Sequence, residues 1–232
     1  MRINELSEIC ENNGLNLDSA QLRQLETYMN LLTEWNEKIN LTAITEPEEI
    51  IEKHFYDCIL PLSEGKISGR TADVGSGAGF PGLVWKIVRP DLDVVLIEPT
   101  GKRCTFLNTV IRELGLSGIE AVNERSEDYV RGNRESFDTV TARAVANLRV
   151  LSELCVPLVK KGGVFVSMKG SAAEEEAKAA EHAMKILGAS LESVQKTSLP
   201  NGDPRINLFY RKTANTPPEY PRNYGRIKKQ PL

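Results

Sequence analysis

The segment TADVGSGAGFPG, residues 71–82, constrains the fold more than any other stretch. A short apolar run ending on an acid passes directly into a loop with glycines at 75, 77, 79 and 82. A glycine-rich turn between strand and helix lets a ligand approach the main chain, and the helix that follows offers unpaired N–H groups. Such a loop belongs to an α/β sheet, and the chain after Arg70 supports one. Short strand-like runs at 71–74, 93–98, 119–122, 138–142 and 163–168 alternate with helical patterns. Two further runs, 191–197 and 206–212, are separated by Pro200, Asn201, Gly202, Asp203 and Pro204, which predicts an antiparallel hairpin on a longer loop.

Before Gly65 the pattern is helical. Leu22, Leu25, Tyr28, Met29, Leu32 and Trp35 recur at spacings of three and four, giving an apolar stripe on a helix capped by Asp18 or Ser19. A second helix is expected over 47–59, with Pro47 near its first turn and Glu48 and Glu49 suited to that end's dipole. The expected organisation is a helical extension over 1–66 packed on an α/β core over 67–212, followed by a basic, extended tail over 213–232. With 232 residues the chain is long enough to bury a core of its own. It has no run of 18 apolar residues, and its start lacks the apolar stretch of a signal peptide, so a cytoplasmic, monomeric protein with no membrane partner is expected. Cys10, Cys58, Cys104 and Cys155 form no C-x-x-C pair, which argues against a metal site and against a disulfide framework. Residues 1–60 hold twelve acids against four Lys/Arg, whereas residues 204–232 hold seven Lys/Arg against Glu219 alone. Only the C-terminal end is suited to a polyanion.

Five parallel strands with an appended hairpin form the seven-stranded, mostly parallel, Rossmann-like sheet of the class I S-adenosylmethionine-dependent methyltransferases. Gly77, Gly79 and Gly82 also satisfy G-x-G-x-x-G, so a nucleotide- or NAD-binding protein without methyl transfer is the alternative. Three features favour S-adenosylmethionine. Asp73 stands where it would repel a pyrophosphate but could attract a cationic amino group or orient loop amides. Gly75 and Ser76 are surplus between the strand and a dinucleotide fingerprint, which should follow its strand directly. Glu98 ends the second strand, placed to accept hydrogen bonds from ribose hydroxyls, and Glu127 follows the third, where an adenine edge would lie.

The segments LLTEWNEKINLTAI (31–44), KHFYDCIL (53–60), DVGSGAGFPG (73–82), GKRCTFLNTV (101–110), FDTVTARAVANL (137–148), PLVKKGGVFVSMKG (157–170) and YPRNYGRIKKQPL (220–232) resemble the glucose-inhibited division protein B family, also called RsmG. The resemblance covers nearly the whole chain. It implies methylation of N7 of one guanosine in 16S ribosomal RNA of the bacterial small subunit, with S-adenosylhomocysteine as co-product. By motif it assigns cofactor contact to Gly75, Phe80, Ser126, Glu127 and Arg143. The chain departs from the family's pattern at IEPTGKR (97–103), where an Asp-Ser ending is usual, at Cys58, where Ser is common, and in a tail lacking a central proline.

Guanine N7 offers a lone pair and carries no proton, so the reaction needs alignment and no general base. The place after the fourth strand reads TARAVANL, without the Asn/Asp-Pro-Pro-aromatic motif used on exocyclic amines. Cys155 lies in an apolar helical pattern and reads as a core thiol, not a nucleophile. Arg143, ending the fourth strand, is the candidate active residue; an ion pair with Asp73 or Glu98 is its structural alternative. Arg125, Lys169, Arg205, Arg222, Arg226 and Lys228 are the candidate RNA contacts, and His54 reads as a helix-packing histidine.

Overall fold

In the computed structural model, which describes residues 1–232, the strands are β1 (Arg70–Val74), β2 (Asp93–Ile97), β3 (Ile119–Val122), β4 (Phe137–Arg143), β5 (Val159–Lys169), β6 (Ala189–Ser198) and β7 (Pro204–Lys212). They form one sheet in the order β3-β2-β1-β4-β5-β7-β6. The first five pair in parallel, and β7 inserts antiparallel between β5 and β6. The strand order reverses at β1, which lies between β2 and β4. Open α/β sheets bind ligands at the carboxyl ends of the strands beside such a switch point.

Both faces of the sheet are covered, and the two-residue period of a strand divides its side chains between two apolar clusters. Val94 and Leu96 of β2 join one cluster with Trp85 and Phe106 and with Leu25, Tyr28 and Leu32 of the N-terminal helices. Val95 and Ile97 join the other, with Leu148, Leu151, Met184 and Ile227. Helix α2 (Ser19–Ile39) begins where expected: the Asp18 carboxylate accepts from the amides of Ala20 and Gln21. Leu25, Tyr28 and Leu32 of the predicted stripe are the residues it buries.

The helical run predicted over 47–59 is there but is not uniform. Helix α3 (Pro47–Ile50) passes into a π-helical stretch, Ile51–Tyr56, then α4 (Asp57–Ile59) and a 3-10 turn, Leu60–Glu64. A π turn carries an extra residue in the ladder and is frequent at functional positions. This one holds His54 and leads directly into Asp57. Strand β5 also starts four residues earlier than its apolar run suggests, with a register shift against β4 between Phe137 and Thr139. All four cysteines are free and buried, and no helix is long and apolar enough to cross a membrane.

The tail corrects the expectation of an extended segment. Residues Tyr224–Lys229 form helix α10, capped by the Asn223 side chain, with Ile227 fully buried. Six residues are too few to show a periodic stripe, so the sequence pattern carried no helical signal. The Arg134 guanidinium donates to the carbonyls of Thr216, Pro217 and Tyr220, and Arg149 donates to those of Pro231 and Leu232. Arg222, expected among the RNA contacts, instead pairs with Glu153 through Nε at 2.8 Å and Nη2 at 2.6 Å. Glu153 is fully buried, so this pair is part of the fold. Arg222→Ala would leave that carboxylate uncompensated, and such losses run to about 3–5 kcal/mol. Urea denaturation should show a destabilisation of this size, with Arg222→Lys losing less; an unchanged midpoint in both variants would refute the assignment.

Candidate active site

Two adjoining cavities open at the carboxyl ends of β1 and β4. The first, of about 370 Å³, is lined by Gly75 to Ala78 and Phe80 of the glycine loop, by Glu98 to Thr100 after β2, by Arg143 to Val145 after β4, and by Thr42, His54 and Arg103. The second, of about 350 Å³, shares His54, Arg143 and Ala144 with the first and adds Lys53, Asp57, Lys169 and Arg205. Four cations line the second cavity.

Asp73 takes one of the two roles open to it. Its side chain is fully buried, does not line either cavity, and accepts the Gly82 amide at Oδ2, 2.9 Å away. It therefore holds the start of helix α5 (Gly82–Val88) against the end of β1, closing the loop on itself. Its other oxygen, Oδ1, has no hydrogen-bond partner. Burial pushes its pKa up from the ordinary 3.8 to about 7. From the other side, the Tyr28 hydroxyl donates to the carbonyl of Ala78 at 2.5 Å, so helix α2 anchors the loop as well.

Glu98 does line the first cavity. It accepts the Gly77 amide at 2.9 Å and the Thr100 amide at 2.8 Å, which fixes a buried carboxylate beside the loop. Gly77 and Gly79 differ in what surrounds them. Both have positive φ, but a Cβ on Gly77 would meet only the Gly75 carbonyl oxygen at 3.9 Å, whereas one on Gly79 would fall 2.3 Å from Leu83 Cδ1 and 2.8 Å from Tyr28 Oη. Gly77 faces the open cavity, and Gly79 faces the core.

Arg143 pairs with neither Asp73 nor Glu98. Its Nη1 donates to Asp57 Oδ2 at 2.9 Å and to the Lys53 carbonyl at 3.1 Å, and its guanidinium lies 4.9 Å above the centre of the Phe80 ring. Asp57 Oδ1 accepts Arg205 Nε at 3.0 Å, so one carboxylate is held between two guanidinium groups. His54 is not merely a packing residue: its ring stacks on Phe80 at 4.4 Å and lines both cavities. Burial, reinforced by the Arg143 charge, lowers its pKa from 6.5 to about 3, so the ring is neutral.

Other expected residues are placed elsewhere. Ser126 and Glu127 open helix α7 (Ser126–Asn133) without lining either cavity. The Ser126 hydroxyl donates inward to the Leu154 carbonyl at 2.6 Å, and Glu127 faces a separate cleft with Arg131 and Tyr224. Arg125 precedes them, its guanidinium over the Tyr224 ring, while Arg226 and Lys228 are exposed on α10. Lys169 pairs with Glu176 at 2.9 Å. Thr42, Lys53, Asp57 and Arg103 line the cavities without having been singled out in the sequence. The LTAI, KHFYDC and GKR segments carried them, but no local spacing marks their roles.

Two outcomes follow from this geometry. Gly77→Ala is expected to retain the fold, at a backbone cost of about 1–2 kcal/mol, with its methyl group in the open space of the first cavity; Gly79→Ala strains the backbone and collides with two core side chains. Thermal melts should separate the two, and equal melting points would contradict the placement. For Asp73, the folded chain binds more protons than the unfolded chain between about pH 4 and 7, so its contribution to stability falls as pH rises through that window. His54 acts oppositely between about pH 3 and 6.5, adding stability as pH rises. Asp73→Asn removes only the falling component. Its unfolding free energy should therefore climb relative to the parent from pH 4 to 7 by up to about 1.4 kcal/mol per pH unit; parallel curves would exclude a raised Asp73 pKa.

Comparison with known proteins agrees with this architecture. Among solved structures, M. jannaschii TYW2 in complex with AdoMet is similar at a TM-score of 0.57 and 14% identity, covering 73% of this chain and 79% of that one. A variant of the 16S rRNA (adenine(1408)-N(1))-methyltransferase from Catenulisporales acidiphilia with its cosubstrate SAM matches at 0.52 and 16%, covering 66% and 89%. At these identities the likeness is one of fold. Sequence similarity reaches further. "Ribosomal RNA small subunit methyltransferase G" of Clostridium botulinum (strain ATCC 19397 / Type A) is 45% identical over 99% of this chain and 98% of its own. The protein of the same name from Desulfitobacterium hafniense (strain Y51) is 47% identical over 94% and 92%. The family described as "GidB: rRNA small subunit methyltransferase G" matches residues 21–204. With that match across most of its length, the chain belongs to the GidB family of small-subunit rRNA methyltransferases.

Proposed function

We propose that the protein transfers the methyl group of S-adenosylmethionine to N7 of a guanosine in 16S ribosomal RNA. One observation carries the reading: a cavity framed by the glycine loop and Glu98 adjoins a cavity lined by four cations, and His54 and Arg143 form their common wall. The first suits the methyl donor. Its loop leaves Gly77 open to a ligand, and Glu98 presents a carboxylate to ribose hydroxyls. The second suits a nucleotide of an RNA chain, with Lys53, Lys169 and Arg205 placed for phosphate oxygens.

The bound donor supplies a methyl group already activated on a sulfonium. The residues of the chain are left with alignment, for which effective molarities contribute about 7–11 kcal/mol. The wall between the cavities fits a reaction without a base. Arg143 bonds to His54 Nδ1, and Thr42 bonds to His54 Nε2, so neither ring nitrogen is free to take a proton. Asp57 is likewise occupied by two guanidinium groups. In this reading exposed Arg125, Arg226 and Lys228 add phosphate contacts, and Ser126 and Glu127, which line neither cavity, are left out of the donor site. Arg222 is withdrawn from that set by its pairing with Glu153.

Labelled S-adenosylmethionine incubated with small subunits lacking the modification should transfer label to one guanosine, mapped by primer extension after aniline cleavage. Naked RNA should be a poorer substrate, because the chain carries a net charge of −3 and grips RNA weakly. No transfer to either substrate, together with thermal protection by NAD and none by S-adenosylhomocysteine, would overturn the proposal.

A further inference from the structure

Thr42 lies between α2 and α3, on the wall of the first cavity and not of the second. Its hydroxyl oxygen is 2.9 Å from His54 Nε2 and 3.1 Å from the Ile44 amide nitrogen. The direction of the first bond is set on the far side of the imidazole. A guanidinium can only donate, so His54 Nδ1, 3.1 Å from Arg143 Nη2, must accept. The neutral ring then carries its single proton on Nε2 and donates it to Thr42. The Ile44 amide donates to the same oxygen. A hydroxyl has two acceptor lone pairs and one proton. Both lone pairs are engaged, and the proton finds no acceptor on this chain.

We infer that the Thr42 hydroxyl is a fixed donor to the carboxylate of bound S-adenosylmethionine. The assignment rests on the proposed function and adds to it a binding residue from the helical extension. Of the donor's groups, the sulfonium and ammonium accept no hydrogen bond, and the ribose hydroxyls fall to Glu98. The carboxylate is its one charged acceptor. Arg103 and Arg143 line the same cavity, against the one carboxylate of Glu98, so a guanidinium is at hand for an anion there. A chain of donors running from Arg143 through His54 to Thr42 would thus end on a negative charge, each bond polarising the next.

The test compares two ligands by calorimetry on the full-length protein: S-adenosylhomocysteine, which keeps the carboxylate, and methylthioadenosine, which lacks the amino-acid portion. Thr42→Val is expected to weaken S-adenosylhomocysteine about tenfold or more, the range for a hydrogen bond to a charged group. Thr42→Ser should stay within about threefold of the parent, by retaining the hydroxyl. Methylthioadenosine should bind all three proteins alike. Equal weakening of both ligands by Thr42→Val would mean a distorted cavity and overturn the inference. Undiminished S-adenosylhomocysteine binding with a raised KM for the RNA would overturn it too, by assigning the donor to the target base. A parent protein that binds neither ligand would instead refute the proposed function.

Discussion

The Asp57 carboxylate joins three parts of the molecule that are far apart in sequence. It belongs to α4, receives Arg143 from the end of β4, and receives Arg205 from β7. Its side chain is only 7% exposed and that of Arg143 14%, so neither charge is well hydrated without the other. Removing one partner from such a pair leaves a buried charge uncompensated, which is far costlier than losing a surface salt bridge. With Arg143 fixed, the protonation of His54 is fixed, and the imidazole is held flat against Phe80. The helical extension is therefore part of the site. It contributes the anion that makes a buried arginine at the end of β4 tolerable.

A second carboxylate sets the shape of the glycine loop, by a less balanced arrangement. Glu98 receives one amide on each oxygen. Asp73 receives a single amide, from Gly82, and its second oxygen is buried without a partner. Two hydrogen bonds offset much of the desolvation of a carboxylate; one does not. Burial with that one amide partner raises the pKa of Asp73, and it places a protonated carboxyl within reach of neutral pH under the loop. The loop is thus held from below by a group whose charge is marginal, while Tyr28 of the extension holds it from the side, through the Ala78 carbonyl and against the Phe80 ring.

The sheet was legible because its signals are local. Short continuous apolar runs, the βα alternation and the loop-bounded hairpin are all signals of short windows, and each placed its strand to within a few positions. The α2 stripe and the Asp18 cap were legible for the same reason. The site was only partly so. Glu98 could be placed because it follows the apolar run of β2 at the carboxyl edge of the sheet, but Arg143 could not be given its partner, since Asp57 lies 86 positions earlier. No spacing rule links the two. His54 read as packing because its stacking on Phe80 depends on how the extension docks. Ser126 has a cofactor role only through the family resemblance, and no local pattern shows that the turn of α7 points its hydroxyl at Leu154. The tail illustrates the converse: basic composition suggested contact with a polyanion, yet a buried glutamate had first claim on Arg222.

That last point bears on how a protein of net negative charge approaches RNA. All four cations of the second cavity are paired, through three carboxylates: Lys53 with Glu49, Lys169 with Glu176, and Arg205 and Arg143 together with Asp57. A paired cation still offers N–H groups to a phosphate at contact distance, but at longer range its field is offset by its partner and screened within a Debye length of about 8 Å. Such a cleft exerts little pull on a distant polyanion and does its work only once the substrate is seated. On the proposed reading, recognition would rest on shape more than on bulk charge. A folded ribosomal surface presents its target nucleotide in one geometry, and a flexible RNA does not.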